Sequence, residues 1–547
     1  MKFGIGQSVS RKEDPKYLLG QGRYVGDIDL KNMAHAYVLR SPHANAKIIS
    51  IDINKAQESP GVLLVLTGED YLSSGLGNMA CHSINPMLAG KRPVVQKPYG
   101  ALVHSTVKCV GARVALVVAD TLEQAKDASE LIEVEYEMLS SIITTKQARE
   151  SKSQMVWEET DNNISFVYKI GNELGAEAAI NNAVNVIQAT ISNNRVNTNA
   201  MEPRTSIGIY EKGDQKYTLY SGNQGPNRVR EELAKEILNV PEARLQVISP
   251  DVGGGFGMKG GAYGEDILVL WAAKLIDRPV KWAGERLESF MSDSHGRDVV
   301  ADCKMAFDSN ARITALRVSA DYNVGAYLSH SAGISPMFFS VLLSGVYAIP
   351  VIDVTTSCLF TNTGATAPYR GAGRPEAAFL LERLMDIAAR ELRLDPIEIR
   401  RKNLVKADQM PYQTALMPVI DCGDFEAVMD KGIETSDWAG FEIRKSEAIK
   451  RGKLYGRGVA VYMESAAPFN ERMEIRFDSG GEVTVVAGTH SHGQGHATVY
   501  SQMIVDFLGV PFDSVHLTQG EEGFLLVAQI LEGQFSAVSK ARSRFLL

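Results

Sequence analysis

Hydrophobic and polar positions recur along the chain with two different periods, which predicts a protein built from both strands and helices. The apolar run Val114–Ala119, a helically spaced stretch over Thr121–Glu130 and the apolar run Ile132–Tyr136 predict a strand, a helix and a second strand in succession. Thr121 or Asp120 is suited to cap this helix, because a short oxygen-bearing side chain satisfies amide groups that the first helical turn leaves free.

The same two patterns continue through the rest of the chain. Residues 375–393 carry the strongest helical pattern, and Pro375 suits the first turn of that helix because a proline there removes no helical hydrogen bond. Further helices are predicted over Tyr263–Leu275 and Val499–Leu508. Further strands are predicted at Tyr217–Ser221, Leu245–Ser249, Val280–Ala283, Gly458–Met463 and Glu482–Gly488.

Changes of pattern predict a mixed α+β fold of three parts. Polar and poorly periodic residues at 146–160 indicate a first boundary, and loops become frequent after Asn403. The predicted parts are residues 1–145, 146–410 and 411–547.

Composition and charge narrow the class of protein. The chain has 547 residues, 45% hydrophobic and 22% charged, which is ordinary for a folded protein with sizeable cores. A net charge of −8 without a basic run argues against nucleic acid or an anionic membrane as a partner. The longest apolar runs, such as Ile267–Ala273 and Met337–Leu343, are too short to cross a bilayer. The N-terminus lacks a secretory pattern, so a cytoplasmic location is expected.

The five cysteines add a further restriction. They are scattered and contain no C-x-x-C pair, which argues against a zinc or iron–sulfur site made of cysteines in this chain. An odd number of isolated thiols is typical of a reducing compartment.

The clearest candidate chemistry lies in three glycine-rich loops, each of which leads into a predicted helix. The first loop, Asp251–Gly261, holds six glycines within nine positions. Glycines let backbone amides approach a ligand closely, and the start of a helix favours an anion. Lys259 is expected to add a positive charge for a phosphate. The sequence therefore predicts an anion-binding loop here, with a simple tight turn as the alternative.

The second loop, Ala367–Glu376, places two arginines at the start of the strongest helix. Arg370 and Arg374 are unfavourable there unless an anion or a carboxylate lies nearby, because the helix dipole repels cations at that end. The structural alternative is that both arginines are solvated or paired with Glu376 and Glu382. A ligand role and a structural role both stay open.

The third loop, Gly488–Thr498, contains three of the ten histidines of the chain. His490 and His492 could offer two imidazoles to zinc at the end of a strand. Alternatively, Gln494 and the glycine amides hold a polar ligand while His496 caps the following helix. Both interpretations stay open.

A short stretch of the first loop also imitates a dinucleotide-binding fingerprint. Gly255–Gly260 fits the pattern G-x-G-x-x-G, and Glu285 follows at the end of a predicted strand. In the true fingerprint the strand runs directly into the first glycine, whereas Pro250–Val252 intervene here. We therefore treat this as a minor alternative.

Taken in order, the motifs resemble the molybdenum-cofactor-binding large subunits of the xanthine dehydrogenase and aldehyde oxidase family. The resemblance covers about residues 3–519 and is strongest to the bacterial branch related to aerobic carbon monoxide dehydrogenase. It implies an α/β hammerhead domain over 1–145, a first cofactor-binding domain over 146–410 and the start of a second over 411–547. The motifs are Gly20–Asp27, Arg40–Ala44, Pro60–Val62, Met201–Arg204, Gln224, Gly253–Lys259, Arg286–Glu288, Tyr369–Pro375 and Gly493–His496.

The resemblance also implies the residues of a cofactor site. Gln224 would hydrogen-bond the oxo ligand of the molybdenum, and Arg370 would line its substrate side, which makes these two the implied catalytic residues. The metal would be held through the pterin and by no side chain. The implied cofactor-binding residues are Gly254, Gly255, Phe256, Gly257, Arg370, Gly371, Ala372, Gly493, Gln494, Gly495 and His496.

The implied reaction is the oxidative hydroxylation of an aldehyde or an N-heterocycle with water. The implied cofactor is molybdenum–molybdopterin cytosine dinucleotide. Electrons would leave through an FAD-binding medium subunit and a [2Fe-2S] small subunit, which fits a chain that has no iron–sulfur motif of its own.

Two departures from the family restrict the expected substrate. Thr366–Gly373 lacks the copper-binding cysteine of the carbon monoxide oxidisers, which argues against carbon monoxide as substrate. Gly260 follows Lys259 at the place where purine-oxidising members have a glutamate, which disfavours xanthine.

A third departure concerns the C-terminus. From about residue 521 the resemblance ends in an atypical tail, and the late Gly-Glu motif that carries the family's catalytic base is missing. We expect a C-terminal truncation by a frameshift or a premature stop. Because a positioned base contributes about 10²–10⁴-fold, little or no turnover is expected. Glu202 and Glu464 could replace the base only by residue type.

Three other functions stay open at this stage. An FAD- or NAD-dependent dehydrogenase rests on Gly255–Gly260 alone, and a zinc metallohydrolase rests on His490 and His492. The third is a non-catalytic remnant that binds iron–sulfur and flavin partners.

Overall fold

The computed structural model describes residues 3–90, 92–151, 154–464 and 473–520. The strands within these ranges are β1 (Ala34–Arg40), β2 (Ala46–Asp52), β3 (Val62–Thr67), β4 (Thr106–Val107), β5 (Arg113–Ala119), β6 (Glu133–Met138), β7 (Ile164–Gly171), β8 (Asn185–Asn193), β9 (Thr205–Glu211), β10 (Lys216–Ser221), β11 (Leu245–Ile248), β12 (Val280–Ala283), β13 (Val299–Phe307), β14 (Ile313–Gly325), β15 (Ile352–Phe360), β16 (Tyr412–Gln413), β17 (Val419–Ile420), β18 (Met473–Phe477), β19 (Val483–Ala487) and β20 (Val515–Thr518). The α-helices are α1 (Asp14–Leu18), α2 (Asn54–Gln57), α3 (Gly68–Ser73), α4 (Pro86–Ala89), α5 (Leu122–Glu130), α6 (Thr145–Glu150), α7 (Glu173–Asn181), α8 (Pro226–Glu231), α9 (Gly264–Ile276), α10 (Arg286–Ser292), α11 (Ile334–Val341), α12 (Arg374–Glu391), α13 (Pro396–Asn403), α14 (Phe425–Thr435), α15 (Phe441–Lys450) and α16 (His496–Leu508).

A seven-stranded sheet joins the first and the central parts of the chain. Its strand order is β11-β10-β9-β12-β1-β5-β3, in which β1 runs parallel to β12 and antiparallel to β5. Strand β5 is buried along its whole length, as its unbroken apolar run requires. Since strands from both parts share this sheet, the predicted boundary near residue 146 does not separate two sheets, and the division into three domains stays a prediction.

A second, five-stranded sheet and its helices hold the largest core. Its order is β7-β15-β14-β13-β8, and the apolar side of α12 packs into the same core. A smaller three-stranded sheet, β18-β19-β20, packs on α16. Together these elements confirm the mixed α+β fold. No helix of the described ranges is long and apolar enough to cross a membrane.

Local predictions compare well with the observed elements, with one exception. The strand–helix–strand unit is confirmed by β5, α5 and β6, and Thr121 caps α5 by accepting a hydrogen bond from the amide of Gln124. The strand predicted at Gly458–Met463 is wrong, because those residues form no regular element. Val461 and Met463 pack on the main core, so the apolar alternation reflects an irregular segment on the core surface that pairs with no strand of the described ranges.

A cluster of buried charges ties the seven-stranded sheet to the helix that follows the first loop. Glu265, in the first turn of α9, is fully buried and accepts hydrogen bonds from Arg40 Nη2 at 2.6 Å and Arg204 Nη1 at 2.8 Å. Arg113 on β5 lies 3.9 Å away, and Arg204 also pairs with Asp293 at 2.7 Å. Burial alone would raise the pKa of Glu265, but the three guanidinium groups hold it well below its usual value.

Replacement of this carboxylate is predicted to be strongly destabilising. Glu265→Ala leaves several guanidinium groups buried without their shared partner, so we expect the free energy of unfolding to fall by about 3–5 kcal/mol. Denaturant unfolding followed by the fluorescence of Trp271 and Trp282, which lie in the same core, measures this. As a control, Glu137→Ala removes a half-exposed pair with Lys47 and should cost no more than about 1 kcal/mol. Equal losses in both variants would contradict the prediction.

Candidate functional site

The three glycine-rich loops meet at one place. The backbone amide of Arg370 in the second loop donates to the carbonyl of Phe256 in the first, at 2.9 Å. The Gln224 side chain accepts from the amide of Gly257 at 2.7 Å, and its Nε2 lies 3.1 Å from Nε2 of His492 in the third loop. Gln224 therefore bridges the first and third loops, just before α8.

The first loop is closely packed against its neighbours, which explains its glycines. Gly257 has a φ of +95°, and a Cβ atom there would lie 2.3 Å from the carbonyl oxygen of Pro368 in the second loop. A Cβ atom on Gly255 would lie 2.5 Å from Cδ of Gln224. Side chains at these positions would separate the loops.

The same loop presents backbone donors. The amides of Gly254, Gly255 and Phe256 form no hydrogen bond with any residue in the described ranges, whereas the flanking amides donate to Glu202 and Gln224. Three successive unpaired amides at a turn suit an anionic or oxo ligand. This part of the loop can therefore bind such a group.

Lys259 does not take the role that the sequence predicted for it. It is almost completely buried, and its Nζ donates to Glu202 Oε2 at 2.8 Å, the oxygen that also accepts from the amide of Gly253. Burial lowers the pKa of Lys259, while the Glu202 carboxylate opposes that shift. Lys259 and Glu202 thus hold the loop in shape, and neither faces a phosphate.

The second loop is held from outside by Arg297. This arginine donates to the carbonyl oxygens of Tyr369 and Arg370 at 3.0 and 2.8 Å and to Glu376 Oε2 at 3.0 Å. The guanidinium of Arg370 itself is exposed and makes no ion pair with the described part of the chain. It is therefore free to act on a ligand or a substrate beside the first loop.

Arg374 has a structural partner, but neither of the predicted ones. It pairs with Glu464 at 2.6 Å and lies over the ring of Phe338. Glu376 pairs with Arg297 as described above, and Glu382 lies 2.8 Å from Arg400. The alternative of pairing with Glu376 and Glu382 is therefore wrong for both loop arginines, because Arg297 and Arg400 take those carboxylates. The exposed side chain of Arg370 fits the alternative of a solvated arginine.

In the third loop, Gln494 holds the loop itself, whereas two histidines contact other segments. Gln494 accepts from the amide of His492 at 2.7 Å and donates to the carbonyl of His490 at 3.1 Å. His490 Nε2 lies 3.0 Å from the carbonyl oxygen of Ser249, next to the first loop. His490 and His492 thus join loops through their Nε2 atoms, and the residues that are described contain no group of three metal-ligating side chains.

The start of α16 presents further donors. His496 does not cap this helix, contrary to expectation: it is the first helical residue, Gly495 is the cap, and the imidazole stacks on Tyr500 at 5.0 Å. The amides of Gly493, Gln494, Gly495 and His496 make no hydrogen bond within the ranges described. The third loop therefore faces a ligand mainly with backbone amides at a helix N-terminus.

The dinucleotide fingerprint is not formed in three dimensions. Strand β11 ends at Ile248, and α9 begins at Gly264, so the glycines neither follow the strand directly nor open the helix. Glu285 caps the start of α10 and pairs with Lys126. It is therefore engaged away from the loop.

The N-terminal segment contributes contacts that sequence reasoning missed. The Glu13 carboxylate accepts from the amide and the hydroxyl of Thr498 in the first turn of α16, at 3.1 and 2.5 Å. Arg11 donates to the carbonyl of Gly493 at 3.2 Å, and Lys16 pairs with Asp251 of the first loop at 2.6 Å. Because these partners lie hundreds of positions apart, no local pattern could have indicated the contacts.

Loss of the Glu13 carboxylate is predicted to loosen the start of α16. Burial alone would raise the pKa of Glu13, but the Thr498 hydrogen bonds lower it. This stabilisation is therefore present above the unfolded-state pKa and is lost as the pH falls through the folded-state pKa. We expect Glu13→Ala to cost about 1 kcal/mol, since the group is partly exposed.

Hydrogen exchange at near-neutral pH measures this effect. The hydrogen-bonded amides of Thr498 and Val499 in the first turn of α16 should exchange faster in Glu13→Ala, whereas Asp14→Ala, which removes only an exposed contact with Arg11, should leave them unchanged. Unchanged exchange in Glu13→Ala would show that the carboxylate does not hold the helix.

Comparisons with known proteins agree with the convergence of the loops. Residues 19–140 match the family described as the aldehyde oxidase and xanthine dehydrogenase a/b hammerhead domain. Residues 156–404 and 431–525 match two families described as molybdopterin cofactor-binding domains.

Individual relatives extend over nearly the whole chain. The nicotine 6-hydroxylase large subunit of Paenarthrobacter nicotinovorans is 32% identical, over 94% of this chain and 64% of the relative. The carbon monoxide dehydrogenase large chain of Hydrogenophaga pseudoflava is 30% identical, over 95% and 67% respectively. The chain thus spans about two thirds of the length of these relatives.

Solved structures show the same similarity. The crystal structure of quinoline 2-oxidoreductase from Pseudomonas putida 86 superimposes with a TM-score of 0.87 at 32% identity, over 95% of this chain and 67% of that one. Carbon monoxide dehydrogenase from Oligotropha carboxidovorans superimposes with a TM-score of 0.84 at 28% identity, over 95% and 67%.

Proposed function

This chain belongs to the molybdopterin-binding large subunits of the xanthine dehydrogenase and aldehyde oxidase family, and we propose that it carries the cofactor site of a molybdenum hydroxylase. The observation that carries the proposal is the convergence of the three glycine-rich loops around Gln224, with unpaired amides on two of them. Its relatives include the molybdenum-binding subunit of a xanthine dehydrogenase and the large chain of a carbon monoxide dehydrogenase.

The residues present fit a molybdopterin cofactor. The first loop offers the amides of Gly254, Gly255 and Phe256, and the third offers those of Gly493–His496, so both loops have neutral donors without a partner in the described residues. A pterin bearing phosphate and a metal–oxo group presents many acceptors and negative charge, which such donors stabilise. We propose the cytosine dinucleotide form of the cofactor.

The chain's own residues bind and orient the reacting groups. When bound, the cofactor supplies the two-electron redox chemistry of the hydroxylation. Gln224 uses its Oε1 atom to hold Gly257 and keeps an amide hydrogen for an oxo group. Arg370, with Gly371 and Ala372, lines the substrate side and presents an exposed guanidinium.

For the substrate, we propose a small N-heterocycle, with an aldehyde as the alternative. Nicotine and quinoline, which appear in the names of two relatives, are both N-heterocycles. The absence of a cysteine in Thr366–Gly373 and the glycine at position 260 argue against carbon monoxide and xanthine. Ala372 adds little bulk beside Arg370, which suits a flat ring.

We further propose that an FAD-binding subunit and a [2Fe-2S] subunit receive the electrons. The relatives include a subunit of a dehydrogenase complex, and the five cysteines of this chain contain no C-x-x-C pair of the kind that binds iron–sulfur clusters.

The catalytic base is not assigned to any described residue. Glu202 is bound to Lys259 and Gly253, and Glu464 to Arg374, so both are structural. The atypical tail from about residue 521 lies outside the described residues. Low turnover of this chain stays a prediction.

Gly257→Ala is predicted to abolish most cofactor binding. A methyl group there is strained at a φ of +95° and meets the Pro368 carbonyl at 2.3 Å, so the first and second loops must separate. Full-length chain produced in a bacterium that makes the cofactor should contain molybdenum and release cytosine nucleotide on acid hydrolysis. We expect the variant to contain about tenfold less molybdenum and cytosine nucleotide, as a loss of about 1.4 kcal/mol in the free energy of cofactor binding would give.

Gly432→Ala is the matched control. This glycine lies in α14 with open space around its Cα atom, so the variant should keep its full molybdenum content. Wild-type protein without molybdenum would refute the proposed function, and full content in Gly257→Ala would refute the placement of the site.

A further inference from the structure

The side chain of Gln224 is fixed at both ends of its amide group. One end, the Oε1 atom, accepts a hydrogen bond from the amide of Gly257 at 2.7 Å. The backbone of Gln224 is held as well, because its own N–H group donates to the carbonyl of Lys259 at 2.9 Å. Because Oε1 faces a donor, the NH₂ end must point the other way, where His492 Nε2 lies 3.1 Å from it. The orientation of the amide is therefore set by hydrogen bonding on both sides.

This arrangement also determines the state of His492. An amide NH₂ group can only donate, so the facing Nε2 atom of His492 must accept and carry no proton. The neutral imidazole then bears its proton on Nδ1. That atom is buried and has no hydrogen-bond partner among the residues with a described position.

The surroundings of His492 keep it neutral. Burial, first of all, lowers the pKa of His492 to about 4, and the nearby His490, His496 and Lys259 act in the same direction. The backbone of His490 acts in the opposite direction on the pKa of His492. A doubly protonated ring would place two donors face to face at 3.1 Å and break the contact with Gln224.

We propose that His492 is a positioning residue, whose neutral Nε2 atom holds the Gln224 amide so that one amide hydrogen stays free for the cofactor. Since Gln224 has two amide hydrogens, the one bound to His492 fixes the plane and the other remains available. His492 of the third loop thereby fixes the orientation of Gln224, which acts beside the first loop. The inference rests on the proposed function for the identity of the ligand, and on the structure alone for the Gln224–His492 contact.

Three variants in the full-length chain test the proposal. His492→Leu removes the acceptor, His492→Gln restores one through its Oε1 atom, and Gln224→Leu removes the amide. The control is His516→Leu, at an exposed histidine on β20 that pairs with Glu482 and lies in the same small sheet as the third loop's strand.

The first measurement is the rate at which purified protein loses molybdenum on dilution. We expect His492→Leu to lose it about tenfold faster than wild type, as the loss of one hydrogen bond of about 1.4 kcal/mol predicts. His492→Gln should stay within about threefold, and His516→Leu should match wild type. The double variant Gln224→Leu/His492→Leu should be no faster than Gln224→Leu. Equal loss in His492→Gln and His492→Leu, or rates that multiply in the double variant, would overturn the proposal.

The second measurement uses cofactor-free chain, so that the proposal can be judged even if the proposed function fails. If wild type contains no molybdenum, the proposed function is refuted. The unfolding temperatures of His492→Leu, Gln224→Leu and the double variant Gln224→Leu/His492→Leu then show whether the two side chains interact. If the change in unfolding temperature of the double variant differs from the sum of the two single changes, the Gln224–His492 contact is supported. Fully additive changes refute it.

Discussion

The buried carboxylate of Glu265 is the interaction on which the rest of the architecture depends. It opens the helix that follows the first loop and is shared by arginines from β1, from β5 and from the entry to β9. A buried charge is tolerated only when its partners are in place, so this cluster favours one arrangement of the N-terminal and central segments over any other. The first loop lies between β11 of the sheet and the helix that Glu265 anchors, so its conformation follows from that arrangement.

The site contains fewer unpaired charged side chains than its sequence suggests. Lys259 is neutralised by Glu202, and Arg374 is bound to Glu464, which leaves Arg370 as the exposed cation of the glycine-rich loops. Attraction for an anionic ligand then comes mainly from backbone amides and from the start of α16. Such donors have fixed directions and do not reorganise when a ligand binds, which suits recognition of a large group with many acceptors.

Sequence reasoning succeeded for interactions between residues close together in the chain and failed for those between residues far apart. The capping of α5 by Thr121 and the long helix α12 could be predicted, because both depend on residues within a few positions. The partners of the loop arginines and of Lys259 could not, since several carboxylates were equally plausible in a linear chain. The segment at Gly458–Met463 shows the limit of periodicity: alternation indicates which side faces a core, but a strand also needs a neighbour to pair with.

The candidate site is assembled from distant parts of the chain, and this couples ligand binding to the overall fold. Glu13 holds the start of α16, Gln224 joins the first and third loops, and Arg370 joins the first and second, so no single segment forms the site. A ligand that contacts the amides of two loops at once binds only the assembled state, and its binding energy therefore stabilises that state. The same reasoning explains why polar side chains within the loops, such as Gln494, make local hydrogen bonds. They hold the unpaired amides in place before a ligand arrives.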